Sequence, residues 1–153
     1  MLEYKLTQLA KELTDFDFKP TQQKEGDAGY DLRACIPFKS ISIFPEETVI
    51  VPTGVHIALD NRNTVGLLIP RSSLGKRGGV LANTIGCIDS NYHGEIQLLI
   101  LNTNMEECLE VKQGERLAQL VITRCSTRLF NEVTEFTAET NRGIGGFGSS
   151  GRF

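Results

Sequence analysis

The chain has 153 residues, 40% of them hydrophobic, and a formal net charge of −3. That length suits a single domain, and the apolar share is enough for one packed interior. No apolar tract is long enough to span a membrane, and the acidic balance argues against a general nucleic-acid binder, which would cluster Lys and Arg.

The opening residues, Met1–Lys5, lack the basic-then-apolar layout of a secretory signal, so a cytoplasmic location is expected. Leu6–Leu13 can form a turn or two of helix, weakly specified because Thr14 and Asp15 follow. Ala28-Gly29-Tyr30-Asp31-Leu32 reads as a glycine turn followed by a carboxylate, a group that is more often structural than catalytic. Thr48–Val51 runs into Pro52-Thr53-Gly54, and Val55–Leu59 then alternates apolar with mixed positions. Asp60–Asn63 is a polar turn before a further strand at Val65–Ile69. Later strands are expected at Glu95–Leu101, Leu117–Thr123 and Leu129–Val133. Strands recurring at this spacing, without a long helical period, predict an all-β barrel or sandwich.

Several segments could carry chemistry. Pro70–Arg77 resembles an anion-binding helix start, with Ser72 or Ser73 as the cap and Arg71 as a planar donor fork. An ordinary serine cap beside a solvated arginine is the commoner meaning of such a segment. A Walker A loop is excluded, because the first glycine is absent and Arg77 stands where Ser or Thr must follow Lys76. Gly86–Gln97 reads as a β-hairpin with its turn from Asp89 to Gly94. Asp89 alone could be a plain turn residue and Tyr92 a packing ring.

Asn141–Gly151 holds five glycines among eleven residues, so it buries little and is expected to stay mobile until something binds it. Gly143–Gly148 matches G-x-G-x-x-G, but no strand feeds it and too little chain follows for a Rossmann helix. Arg142, Phe147, Ser149 and Ser150 give this pliable stretch a cation, a stacking ring and hydroxyls. Cys35, Cys87, Cys108 and Cys125 are never paired as C-x-x-C, which argues against a zinc site or a disulfide framework. They are expected to be small buried thiols on strands. His56 inside a strand and His93 at an exposed tip form no triad or metal arrangement.

Taken together and in order, these segments resemble the five motifs of the homotrimeric deoxyuridine triphosphatase (dUTPase) family. They are Asp27–Ala34, Pro70–Gly75, Gly86–Gly94, Gly114–Gln119 and Arg142–Gly151. The resemblance implies a distorted jelly-roll or β-barrel with at most one or two short helices. It divides the chain into one domain over 1–140 and a flexible Gly-rich arm over 141–153. It also implies a homotrimer with shared sites, Mg²⁺ dependence and hydrolysis of dUTP to dUMP and pyrophosphate, with neither nucleic acid nor membrane as partner.

On this resemblance Asp89 activates the attacking water and meets the sugar 3′-hydroxyl. Tyr92 lies under the deoxyribose and rejects a 2′-hydroxyl. Asn83 and the backbone around Cys87, Ile88 and Gln97 read uracil. Arg71, Ser72, Ser73 and Gln119 contact phosphates. Arg142, Ser149 and Ser150 reach the γ-phosphate, while Phe147, followed by Gly148, closes over the base. Asp31 is tied to the metal–phosphate region, and Mg²⁺ is held mainly by triphosphate oxygens and water.

Two rivals are weaker. A dCTP deaminase would need a glutamate on the strand after the hairpin, where Leu99 stands, and would lack the fifth motif. A non-catalytic jelly-roll protein would have little reason to keep Asp89, Arg142 and Phe147 together.

Overall fold

The structure is a computed structural model of the chain and describes residues 2–138, 140–141 and 143–145. Its strands are β1 (Glu3–Leu6), β2 (Gly29–Arg33), β3 (Ser40–Ile43), β4 (Thr48–Pro52), β5 (Val55–Ala58), β6 (Thr64–Pro70), β7 (Gly79–Leu81), β8 (Gly86–Ile88), β9 (Gln97–Asn102), β10 (Leu109–Lys112) and β11 (Arg116–Arg124). Two five-residue helices interrupt them, α1 (Gln8–Glu12) after β1 and α2 (Ser72–Lys76) after β6. None of the described helices is long and apolar enough to cross a membrane.

All strand ladders are antiparallel. They build one sheet in the order β2-β11-β6-β8, a second in the order β4-β9-β7, and two ribbons, β1-β5 and β10-β3. The expected all-β class holds, in the jelly-roll form: the sheets are packed layers, and none closes into a barrel.

Alternation explains which face each strand buries. Leu98, Ile100 and Asn102 of β9 point inward, as do Leu109 and Val111 of β10, whose Glu110 and Lys112 stay exposed. On β11 the rhythm breaks, and Leu117 and Ala118 are both fully buried in succession. A register shift between Arg116 and Ala118 opposite β2 is the cause, since a bulge adds one residue and reverses the phase of all that follows. A smaller apolar cluster of Ala10, Phe18 and Cys35 sits beneath α1.

Four local expectations need correction. Gly29 is no turn: it lies inside β2, and it is small because a Cβ there would stand 2.9 Å from the Gln119 Cβ. Leu6 ends a strand, and the helix after it begins only at Gln8, with the Thr7 side chain accepting from the Ala10 N–H at 3.2 Å. Leu129–Val133 forms no strand.

The fourth concerns Gly86–Gln97, which is not a paired hairpin. β8 pairs with β6 and β9 pairs with β4 and β7, so the segment bridges two sheets. Its turn chemistry is present, with the Tyr92 N–H donating to the Asp89 carbonyl at 3.0 Å, but a turn alone does not choose the strand's partner.

Candidate active site

A concentrated polar cluster is built on β2, β11 and the residue that precedes α2. Asp31 of β2 is buried, yet both carboxylate oxygens are occupied: Arg71 donates to Oδ1, and Arg116 Nη1 donates to Oδ2 at 3.1 Å. Gln119 Nε2 approaches Oδ1 at 3.5 Å, the outer limit of a hydrogen bond. A buried carboxylate is costly unless paired, and here two guanidinium groups meet that need. The arginines are themselves only partly buried, so they remain able to face a second anion.

Arg71 is the residue before α2, and its own N–H donates to the Leu117 carbonyl at 2.9 Å. That bond ties the start of α2 to the bulged part of β11. The expected serine cap is not formed: Arg71 occupies the cap position without a side-chain cap bond, and Ser72 and Ser73 lie in the first turn with exposed side chains. Their place follows from β6 running straight to Pro70, which leaves one extended residue before the helix.

The second group of candidates lies on the β7–β9 stretch. Asn83 is exposed in the turn after β7, and the next residue, Thr84, has a φ of 62°. A β-branched residue in that region is strained and marks a turn held by its surroundings. Cys87 is exposed on β8, while Ile88 is buried opposite Gly66. Asp89 and Tyr92 are exposed in the bridging loop, and Gln97 is exposed at the start of β9.

These two groups do not meet within one chain. The β6–β8 register sets Ile88 opposite Gly66, so Asp89 follows near the start of β6, whereas Arg71 follows its end. Arg71 stands five positions beyond Gly66, roughly 17 Å at about 3.3 Å per residue. The Asp31 cluster also sits toward the β2 edge of this sheet, while β8 is the opposite edge. The candidate residues of one chain therefore fall into two candidate half-sites rather than one pocket.

Arg142, Phe147, Gly148, Ser149 and Ser150 lie outside the described residues. Among the described residues no group of three His, Cys, Asp or Glu could hold a metal ion. Asp31, the one side chain tied by resemblance to a metal, is already engaged by arginines. Among the described residues, side chains alone thus offer no cage for a cation.

The thiols also depart from expectation. Only Cys35 is buried; Cys125 is half-buried, and Cys87 and Cys108 are exposed. Burial, reinforced by the nearby Glu95 charge, pushes the Cys35 thiol upward against the lowering effect of a hydrogen bond from Thr7. His93 is exposed, as expected, and the His56 ring on β5 lies with Nδ1 3.0 Å from the His93 carbonyl. Sequence reasoning gave no role to Arg116 or Glu95. Arg116 lies inside the Gly114–Gln119 motif, but its reach to Asp31 depends on a bulge that no spacing reveals.

Comparison with known proteins agrees with this architecture. The sequence model of the dUTPase family matches residues 18–151. A deoxyuridine 5′-triphosphate nucleotidohydrolase of Hydrogenovibrio crunogenus is 46% identical over 133 residues, covering 86% of each chain. The protein of that name from Neisseria meningitidis serogroup C is also 46% identical, over 136 residues, covering 88% of this chain and 89% of its own. Among solved structures, a point variant of the Staphylococcus bacteriophage 80alpha dUTPase with dUpNHpp superposes with a TM-score of 0.83 at 27% identity. That superposition covers 99% of this chain and 98% of the phage chain. With a family match over nearly all its length and relatives of this closeness, the chain belongs to the dUTPase family.

Proposed function

We propose that the protein hydrolyses dUTP to dUMP and pyrophosphate by water attack on the α-phosphate. In the cytoplasm this would limit uracil incorporation into DNA and supply dUMP for dTMP synthesis. The observation that carries the reading is the family match over residues 18–151, which takes in all five motifs in order.

The chemistry follows from the side chains. Phosphoryl transfer needs a positioned water and charge spread over phosphate oxygens more than covalent help. Asp89 orients and activates the water. Arg71, Ser72, Ser73 and Gln119 hold phosphates, with Asp31 keeping Arg71 aimed and tied indirectly to the metal–phosphate region. The Tyr92 ring stands under the deoxyribose, and Asn83 with the backbone at Cys87, Ile88 and Gln97 reads uracil. Residues 141–153 form an arm separate from the domain over 1–140. It brings Arg142, Ser149 and Ser150 to the γ-phosphate and Phe147–Gly148 over the base. Mg²⁺, held mainly by the triphosphate oxygens and water, would neutralise phosphate charge there.

A homotrimer with shared sites is part of this reading. Two observations favour it: the half-sites at opposite ends of β6, and a run of outward apolar side chains. Leu129, Phe130 and Phe136 are 97%, 105% and 90% exposed, a poor arrangement for an isolated chain. The test is pyrophosphate release from dUTP, dCTP, dTTP and UTP with Mg²⁺. Selective release from dUTP is expected; ammonia release from dCTP, or no turnover of dUTP, would overturn the reading.

A further inference from the structure

The loop from Asp89 to Ile96 carries the water-activating carboxylate and the sugar-facing ring, yet no ladder between β8 and β9 fixes its shape. Its anchors lie on Thr53–His56 instead. Thr53, fully buried, donates from Oγ1 to the Ile96 carbonyl at 2.7 Å and from its N–H to the same oxygen at 3.2 Å. The Ile96 N–H donates to the Val55 carbonyl at 2.8 Å. One residue earlier, the Glu95 carboxylate accepts the Gly54 N–H, with Oε1 at 2.7 Å.

Gly54 is held in turn. Its φ is 75°, and a Cβ there would stand 2.6 Å from the Ala10 side chain and 2.8 Å from Cys35 Sγ. The amide that Glu95 grips thus belongs to a backbone that the core fixes. On the other side, the Glu95 carbonyl accepts the Tyr92 hydroxyl at 2.9 Å. Gly94 leaves room for this ring, since a Cβ at that residue would collide with it. The peptide between Glu95 and Ile96 therefore receives the Tyr92 phenol through its carbonyl and is pinned by its N–H. A carboxylate on a backbone N–H is a charge-assisted bond, roughly twice as strong as a neutral one.

We propose that Glu95 is a positioning residue: its carboxylate on the Gly54 amide fixes the peptide that seats the Tyr92 ring, and so sets the discrimination between deoxyribose and ribose. This deepens the proposed function and rests on Tyr92 lying under the sugar. Removing the carboxylate strands the Gly54 N–H and frees the loop to drift. Drift on the order of 1 Å at a positioning group costs on the order of 10²-fold in rate.

The test compares wild type with Glu95→Ala and Glu95→Gln by two readouts, amide hydrogen exchange of the ligand-free protein and kcat/KM for dUTP and UTP. Glu95→Ala is expected to speed exchange at Gly54 and Tyr92 while β11 stays protected, and to lower the dUTP/UTP ratio roughly ten- to hundredfold. Glu95→Gln keeps an oxygen acceptor and should retain most of both. If Glu95→Ala fails to fold, Glu95→Asp, one methylene shorter, carries the same expectation. A discriminating wild type whose ratio and exchange survive Glu95→Ala overturns the positioning role alone. A wild type that turns over dUTP and UTP alike overturns the reading of Tyr92, and the positioning role with it.

Discussion

Arg116 and Gln119 stand three residues apart on β11, yet both reach toward the carboxylate of Asp31. On a regular strand residues that far apart face opposite sides. The bulge between Arg116 and Ala118 brings them to the same side, and Asp31, opposite Gln119 in the β2–β11 register, completes the cluster.

Removing Asp31 should therefore release two arginines at once. Asp31→Ala is expected to lower stability by about 2 kcal/mol in chemical unfolding, since the abandoned guanidinium groups are partly solvated and only the buried partner is lost. Steady-state kinetics on the same variant should show KM for dUTP rising, because Arg71 no longer has a fixed aim. An unchanged KM would count against the phosphate role of this cluster.

Asp89 is exposed in the bridging loop, so its replacement should disturb chemistry and not folding. Asp89→Asn is expected to bind a non-hydrolysable dUTP analogue with near wild-type affinity, measured by calorimetry. Turnover should fall on the order of 10²-fold or more, the usual share of a positioned base.

A chain ending at Thr140 should keep its thermal transition and its oligomeric state in sedimentation. Its dUTP turnover should drop about 10²–10³-fold, the loss seen when one transition-state donor is removed. Full activity in that truncate would sink the arm's role.

The Cys35 thiol makes stability depend on pH at the alkaline end. Its folded pKa is raised above the ordinary 9.0 by burial, with the Glu95 charge adding to it. The unfolded chain thus gives up this proton first as pH rises. Stability from Cys35 is complete below about pH 9 and is lost as pH climbs toward the folded value. Urea midpoints of wild type should fall above pH 9 more steeply than those of Cys35→Ala. Thiol labelling of the native protein should reach the exposed Cys87 and Cys108 before Cys35.

Much of this could be read from residues alone, and the limits have physical causes. β4, β5, β6, β9 and β11 announce themselves because apolar residues recur along them between turn residues. β2 hides because Tyr30, Asp31 and Arg33 interrupt the apolar pattern, and Gly29 mimics a turn while making room for Gln119. Gly86–Gln97 shows its turn but not its partners, which are chosen by register with strands about 20 and 50 residues away in sequence. The motif residues Arg71, Asp31 and Gln119 were legible as a family pattern, and they do converge. Arg116 and Glu95 were not, because a bulge and a glycine amide far away in sequence give them their work.

The two half-sites at opposite ends of β6 bear on how damage is inherited by an assembly. A chain lacking Asp89 and a chain lacking Arg71 each spoil a different half. Mixed in the proposed homotrimer with shared sites, they would still face intact half against intact half. Two inactive variants expressed together should thus recover part of the activity, and neither should do so alone. A defect that silences a pure population would then be recessive in a mixed one.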